Sequence, residues 1–340
     1  MKLKRITSFW ISLIVLVLSS CEKEEQPIEI EEQSIEEENT PGNKITTSVS
    51  IANDYKYQVF YDLETNTEVA QNLTTAWDLA FECGENGYHV KLNSSKGMMV
   101  WSTEETDFSS VSSKSGAEWN WDNPNGSLDS TAIDEWGIKN ENNVDSKNEI
   151  YVLDLGYDSN GNHLKYKKMQ ILGLEGDEYS VKISDLSGDN EFVLYFKKDN
   201  DYNFMFLSIS NRKLISIEPP KADWDLVFTK YTHTFFMPDP LAYGVTGVLI
   251  SSNSTAVHKD VIHGFENIDL EIAKELTYST DVNIIGYNWK DYSHDSGGYT
   301  ILDNSYVIKN RSGNYYKFHL IDFYSSDGQK GDMKFEFQRL

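Results

Sequence analysis

The sequence predicts an all-β protein built as two tandem antiparallel β domains, and three observations predict it. Short runs alternating apolar and polar residues recur along the chain, among them YKYQVFYDL (55–63), EYSVKI (178–183), YNFMFLSI (202–209) and MKFEF (333–337). Turn-forming NGN, SGDN, RSGN and SSDG separate such runs, and period-two alternation between turns is the pattern of antiparallel strands. The third observation is a repeat: Trp-Asp-Leu-x-Phe occurs as WDLAF (77–81) and again as WDLVF (224–228). Only Leu270 to Leu276 hints at a helix.

In chain order, residues 1–20 read as a leader. Lys2, Lys4 and Arg5 precede an apolar run, Phe9 to Leu18, that is short for a bilayer span, and Leu18-Ser19-Ser20 leads into Cys21. Small residues before a cysteine are the pattern of a bacterial lipoprotein signal, with Cys21 as the lipidated residue. Diacylglyceryl plus N-acyl chains suffice to hold a soluble domain at a membrane. Residues 21–43 form an acidic tether: EKEEQPIEIEEQSIEEEN holds nine Glu and one Lys, repels itself and cannot build a core. Glu22-Lys23-Glu24-Glu25 resembles the surface-export signal of Bacteroidetes lipoproteins, which implies an outward-facing position on the outer membrane.

The remaining chain divides by its repeat. Tyr55 and Trp77 recur as Tyr202 and Trp224, both at an offset of 147. Trp136 and Trp289 are offset by 153, and IYVLDL (150–155) answers SYVIKN (305–310) at 155. Offsets that drift slowly and stay in order indicate a duplicated unit of domain size, copy 1 at 44–189 and copy 2 at 190–340. Within WDLAF, alternation places Trp77, Leu79 and Phe81 on one face and Asp78 and Ala80 on the other. Asp78 and Asp225 are then expected to bond a neighbouring strand's backbone.

Composition narrows the function. A net charge of −24 argues against nucleic-acid or anionic-membrane partners beyond the lipid anchor. With Cys21 lipidated, Cys83 is alone and reads as a buried thiol. The chain has no P-loop, His-Glu-x-x-His, Cys-x-x-Cys or Gly-x-Ser-x-Gly motif, and no pair of acids stands out, so no enzyme is indicated. Seven histidines remain. His258 and His263 flank a loop, STAVHKDVIHGFE, and His294 stands in NWKDYSHDSGGY. The matching part of copy 1, EWGIKNENNVDSKNEIYVLD, has no histidine, so the scaffold does not need His294.

The lipoprotein start, VSIANDYKYQVFYDLETNTEV, AWDLAF, HVKLNSSKG, WKDYSHDSGGY and the closing SYVIKNRSGNYYKFHLIDFYSSDGQKGDMKFEF together resemble the HmuY family of haem-binding outer-membrane lipoproteins. The resemblance implies an all-β fold that grips haem between two loops, with two axial ligands and no open iron position. The family's downstream ligand histidine is matched by Tyr292-Ser293-His294-Asp295-Ser296-Gly297-Gly298, which makes His294 the expected ligand. The upstream ligand has no matching segment. His263 is nearest in separation from His294 and would join it on the metal; His258 is next, and Met98, Met99 and Met237 are alternatives. The expected function is a hemophore-type lipoprotein that binds haem and passes it to an outer-membrane receptor of the TonB-dependent kind for iron acquisition. The alternative keeps the scaffold and binds a glycan, peptide or partner protein.

Overall fold

The computed structural model describes residues 42–235, 240–295 and 297–340. The leader, Cys21, the tether up to residue 41 and Met237 lie outside the described residues. Antiparallel strands dominate, as the alternating runs require, and the expected helix is one short α-helix, Leu270–Glu275, capped by the Asp269 side chain on Ile272 N. No helix among the described residues is long and apolar enough to cross a membrane.

Four sheets organise the core. A five-stranded sheet runs in the order Ile45–Ser50, Lys330–Arg339, Tyr315–Tyr324, Ser305–Lys309, Ala256–Asp260. A seven-stranded sheet is built mainly on Tyr166–Glu175, Glu178–Asp185 and Ile150–Asp154. Two four-stranded sheets complete the set. One is Leu241–Ile250, Leu226–Phe235, Tyr57–Asp62, Thr67–Leu73; the other is Lys213–Ile215, Phe204–Ser208, Leu79–Glu82, Val90–Leu92.

The clusters of buried residues give the stacking. From Tyr57–Asp62, Val59 and Tyr61 pack with Phe318, Phe335 and Phe337 of the five-stranded sheet, while Phe60 turns the other way onto Trp224 and Val227. From Leu79–Glu82, Leu79 and Phe81 pack with Tyr179 and Val181 of the seven-stranded sheet, while Ala80 joins Phe60. The two four-stranded sheets therefore share a middle core and are covered on both faces. Burial on both faces explains the consecutive apolar residues within their central strands, such as Val59-Phe60-Tyr61 and Leu226-Val227-Phe228, each buried Leu or Phe contributing about 1.5–3 kcal/mol.

The two copies are intertwined rather than tandem. The first strand of copy 1 pairs with the last of copy 2, Ile45 opposite Phe337, and the first strand of copy 2 pairs with the last of copy 1, Phe192 opposite Ile183. Tyr61 of copy 1 lies opposite Leu226 of copy 2, and Leu207 of copy 2 opposite Leu79 of copy 1. Each exchange occurs in both directions at matching positions. The boundary expected at 189/190 is thus a tight turn between paired strands, and Thr40–Leu340 forms one compact unit. The physical reason is that each copy alone would leave strand edges unpaired, and the other copy supplies their hydrogen bonds.

The repeated motif sits where the copies cross. Asp78 N donates to Leu207 O, and the Asp78 carboxylate accepts from Ile209 N; Asp225 N donates to Tyr61 O, and its carboxylate accepts from Leu63 N. Both aspartates bond a neighbouring backbone as expected, and that backbone belongs to the other copy. The face assignment of the tryptophan needs correction. Trp77 packs edge-on against Phe206 and Trp224 against Phe60, in the middle core, away from Leu79 and Phe81. Strand structure begins only at Leu79, so alternation does not extend back to the indole.

Candidate functional site

The twin copies differ most after their fully buried tryptophans. In copy 1, Trp136 precedes the hairpin Gly137–Asn140/Asn143–Ser146, which joins the seven-stranded sheet with Val144 opposite Leu174. Gly137 has no room for a side chain: a Cβ there would meet Val144 Cγ1 at 2.5 Å. In copy 2, Trp289 precedes the hairpin Lys290–Ser293/Gly298–Ile301, which among the described residues forms a two-stranded sheet of its own. Its edge is held instead by a side chain, Tyr299 N donating to the Tyr324 hydroxyl at 2.7 Å. The offset of 153 that relates the tryptophans places Lys290 over Gly137 and His294 over Glu141.

Lys290, Asp291, Tyr292, His294, Gly297 and Tyr299 of this hairpin line a cavity of about 880 Å³. Seven aromatic rings line it: Tyr55, Phe235, Tyr243, Tyr287, Tyr292, Tyr299 and Tyr324. His294, Lys230, Lys290 and Lys330 complete its chemistry, with Asp291 as its acid. The size falls within the range of about 300–1,000 Å³ usual for small-molecule and cofactor sites.

His294 occupies the exposed hairpin tip, its ring 5.1 Å from Tyr292 and perpendicular to it. Gly297, at φ +67°, closes the turn by donating to Ser293 O at 2.9 Å, which is why the text there must contain glycine. Burial pushes the Tyr55 phenol up to about 12 and raises Tyr287 and Tyr299, so all three are neutral hydrogen-bonding groups at pH 7.

The other expected ligands lie elsewhere. His258 is in Ala256–Asp260 with Nδ1 at 2.8 Å from Thr277 O, and His263 holds Nδ1 at 2.7 Å from Asp260 Oδ1. Neither lines the cavity of His294, so the structure does not bring His294 and His263 together. The Asp260 carboxylate also accepts from Ile262, His263 and Gly264 N, so loop architecture accounts for this histidine. Met98 and Met99 line a separate cavity of about 350 Å³, which shares Lys230 and Gly244 with the first. Among the described residues no three His, Cys, Asp or Glu side chains cluster as a metal site. Cys83 is buried as expected, its thiol pushed up to about 11 by desolvation.

His233 was not singled out by sequence reasoning. It packs at 4.8 Å from Tyr287 and 4.9 Å from Phe235, both cavity residues, and its buried Nδ1 has no hydrogen-bond partner. Burial lowers its pKa, which favours the neutral, metal-competent imidazole. The sequence signal was faint: TKYTHTFF alternates like any strand. The seven aromatic rings and the exposed His294 imidazole at the rim suit a planar aromatic group such as haem, with one imidazole nitrogen available from the lining itself; His233 does not line the cavity.

A family model described as HmuY protein matches residues 54–337. Among solved structures, the chain is similar to apo PinO from Porphyromonas gingivitis at 9% identity, covering 88% of this chain and 97% of that one, with a TM-score of 0.28. It is similar to the apo HmuY analogue of Tannerella forsythia at 10% identity, covering 88% and 97%, TM-score 0.25. A putative HmuY-like heme binding protein from Bacteroides vulgatus matches at 12% identity over 86% and 90%, TM-score 0.23. No curated protein matches the chain.

Proposed function

The chain belongs to the HmuY family, and from that premise we propose that it is a surface-anchored lipoprotein of hemophore type, which binds haem and passes it to an outer-membrane receptor for iron acquisition. The observation that carries this reading is His294, held on a hairpin of its own at the rim of an aromatic cavity, where the twin hairpin is docked in a sheet and has no histidine. Bound haem would supply an iron that accepts axial imidazole nitrogen. His294 would provide one such nitrogen. His233 does not line the cavity, but it packs against two rings that do and its Nδ1 is unbonded, so it is the second candidate in place of His258 and His263, and it would reach an iron only if those rings moved aside. The tyrosines would sandwich the macrocycle and keep water from it. The lipid on Cys21 and the acidic tether would hold the domain near its receptor while letting it reorient.

The test is a haemin titration of the mature protein, read in the Soret and visible bands in both oxidation states. Wild type is expected to show a sharp Soret band, lost in His294→Ala and shifted in His233→Ala. A flat titration at micromolar haemin overturns the proposal. A second reading, capture of a non-haem aromatic ligand by the same cavity, is favoured by the separation of His258 and His263 from His294; it predicts binding without any change in an iron spectrum.

A further inference from the structure

The cavity inverts the charge of the protein around it. The chain carries 54 acids against 30 Lys and Arg, yet the cavity wall holds three lysines and one aspartate. Lys290, Lys230 and Lys330 make no ion pair among the described residues. Lys290 is the most confined of them, only 7% exposed. Its Nζ donates to Thr246 O at 2.6 Å and is ringed by Trp289, Phe323 and Tyr299 at 4.4, 4.6 and 5.5 Å from the ring centroids. One of its three ammonium hydrogens therefore has a conventional acceptor, and the rings supply weak cation–π attraction for the rest.

A buried ammonium without an acid is expensive, and its pKa shows it. Desolvation is the sole cause pulling Lys290 down to about 7, with no carboxylate raising it. The groups around it on the other elements of the cavity are Lys230, Lys330, Asp291, His294 and tyrosine phenols; none of them acts on its charge enough to offset burial. The scaffold does not require the residue, since the twin position is Gly137. A costly cation that lines the cavity, and that the twin copy replaces with glycine, is explained if the partner arrives with the ligand.

We propose that Lys290 is the counter-ion for a carboxylate of the bound ligand, so that this cavity selects planar aromatic carboxylates whether or not they carry iron. The proposal rests on the cavity being the ligand site. It does not depend on axial ligation by His294. Lys230 and Lys330, which also line the cavity, extend the same preference to a second carboxylate.

The test uses iron-free protoporphyrin IX and its dimethyl ester in dilute detergent, read by tryptophan quenching with the mature protein. The free acid is expected to bind at least about tenfold more tightly than the ester, as desolvated charge pairs allow. Lys290→Met should abolish that preference, and Lys290→Arg should retain most of it; circular dichroism confirms that both fold. Equal affinity of acid and ester, an intact preference in Lys290→Met, or no binding of either porphyrin overturns the inference. If haemin gives no iron-ligation spectrum while the acid preference and its loss in Lys290→Met are observed, axial ligation falls and this inference stands.

Discussion

The two aspartates of the repeated motif should respond oppositely to the same substitution. Asp78 is paired with the ammonium of Lys96, both side chains being buried. The corresponding segment of copy 2, three residues beyond the matching amide contact, carries Ser254 instead of lysine. Asp225 is accordingly left with hydrogen bonds and no cation, and burial pushes its carboxyl up to about 6 from 3.8. Asp78→Asn strands Lys96 as an unpaired buried charge, for which about 3–5 kcal/mol of destabilisation is expected. Asp225→Asn keeps an oxygen for Leu63 N and removes a carboxylate whose ionisation costs roughly (6 − 3.8) × 1.36, or about 3 kcal/mol, at pH 7. The expected outcome for Asp225→Asn is a change within about 1 kcal/mol, or a gain. The sign with pH follows from proton counting. Between pH 4 and 6 the folded protein holds a proton on Asp225 that the unfolded chain has released, so this residue's contribution to stability falls as pH rises through that window. Urea denaturation of the mature protein at pH 4.5 and pH 7 measures both variants. Equal losses at pH 7, or an unchanged pH slope in Asp225→Asn, would refute the idea that Lys96 distinguishes the twins.

Other outcomes follow from the site. His294→Ala removes an exposed ring at a hairpin tip, so thermal stability should stay within about 0.5 kcal/mol while the Soret band disappears, measured by calorimetry and spectrophotometry. Lys290→Met should stabilise the ligand-free protein by up to about 5 kcal/mol at pH 7, from (10.5 − 7) × 1.36, less the ring attraction. Between pH 7 and 10.5 the unfolded chain binds the proton that folded Lys290 has lost, so wild-type stability climbs with pH and the variant's advantage shrinks; a constant difference in urea midpoints from pH 7 to 10 contradicts this. Gly137→Ala should destabilise by about 1–3 kcal/mol, because its Cβ would overlap Val144, and an unchanged melting temperature would show that the hairpin is not docked as described. Cys83 should not react with a thiol reagent until the protein unfolds, given its burial and raised pKa.

Much of the scaffold was legible because it depends on local pattern. Alternation in YQVFYD and KGDMKFEFQR marks strands whichever partners they find. The paired WDLxF motifs exposed the duplication, and the absence of histidine from the copy 1 counterpart of His294 pointed to a hairpin that forms its own two-stranded sheet. The partners themselves were not legible. Period two says that Phe60 and Tyr61 face opposite ways, but not that Phe60 meets Trp224 and Tyr61 meets Phe335. Lys290 and His233 passed as ordinary strand residues, since nothing local distinguishes a lysine with no acid from one on a solvated face.

By itself, then, the sequence determined the element type, displayed the repeat and singled out His294 as a candidate, because strand alternation and short motifs are written within a few neighbouring residues. Only the tertiary structure decided that the copies exchange strands instead of standing in tandem, and that a cavity forms beside the His294 hairpin. Those outcomes depend on hydrogen bonds and contacts between residues more than a hundred positions apart, such as Ile45 with Phe337 and Leu63 with Asp225. Their energies arise from edge pairing and desolvation, which have no signature in the text of either strand alone.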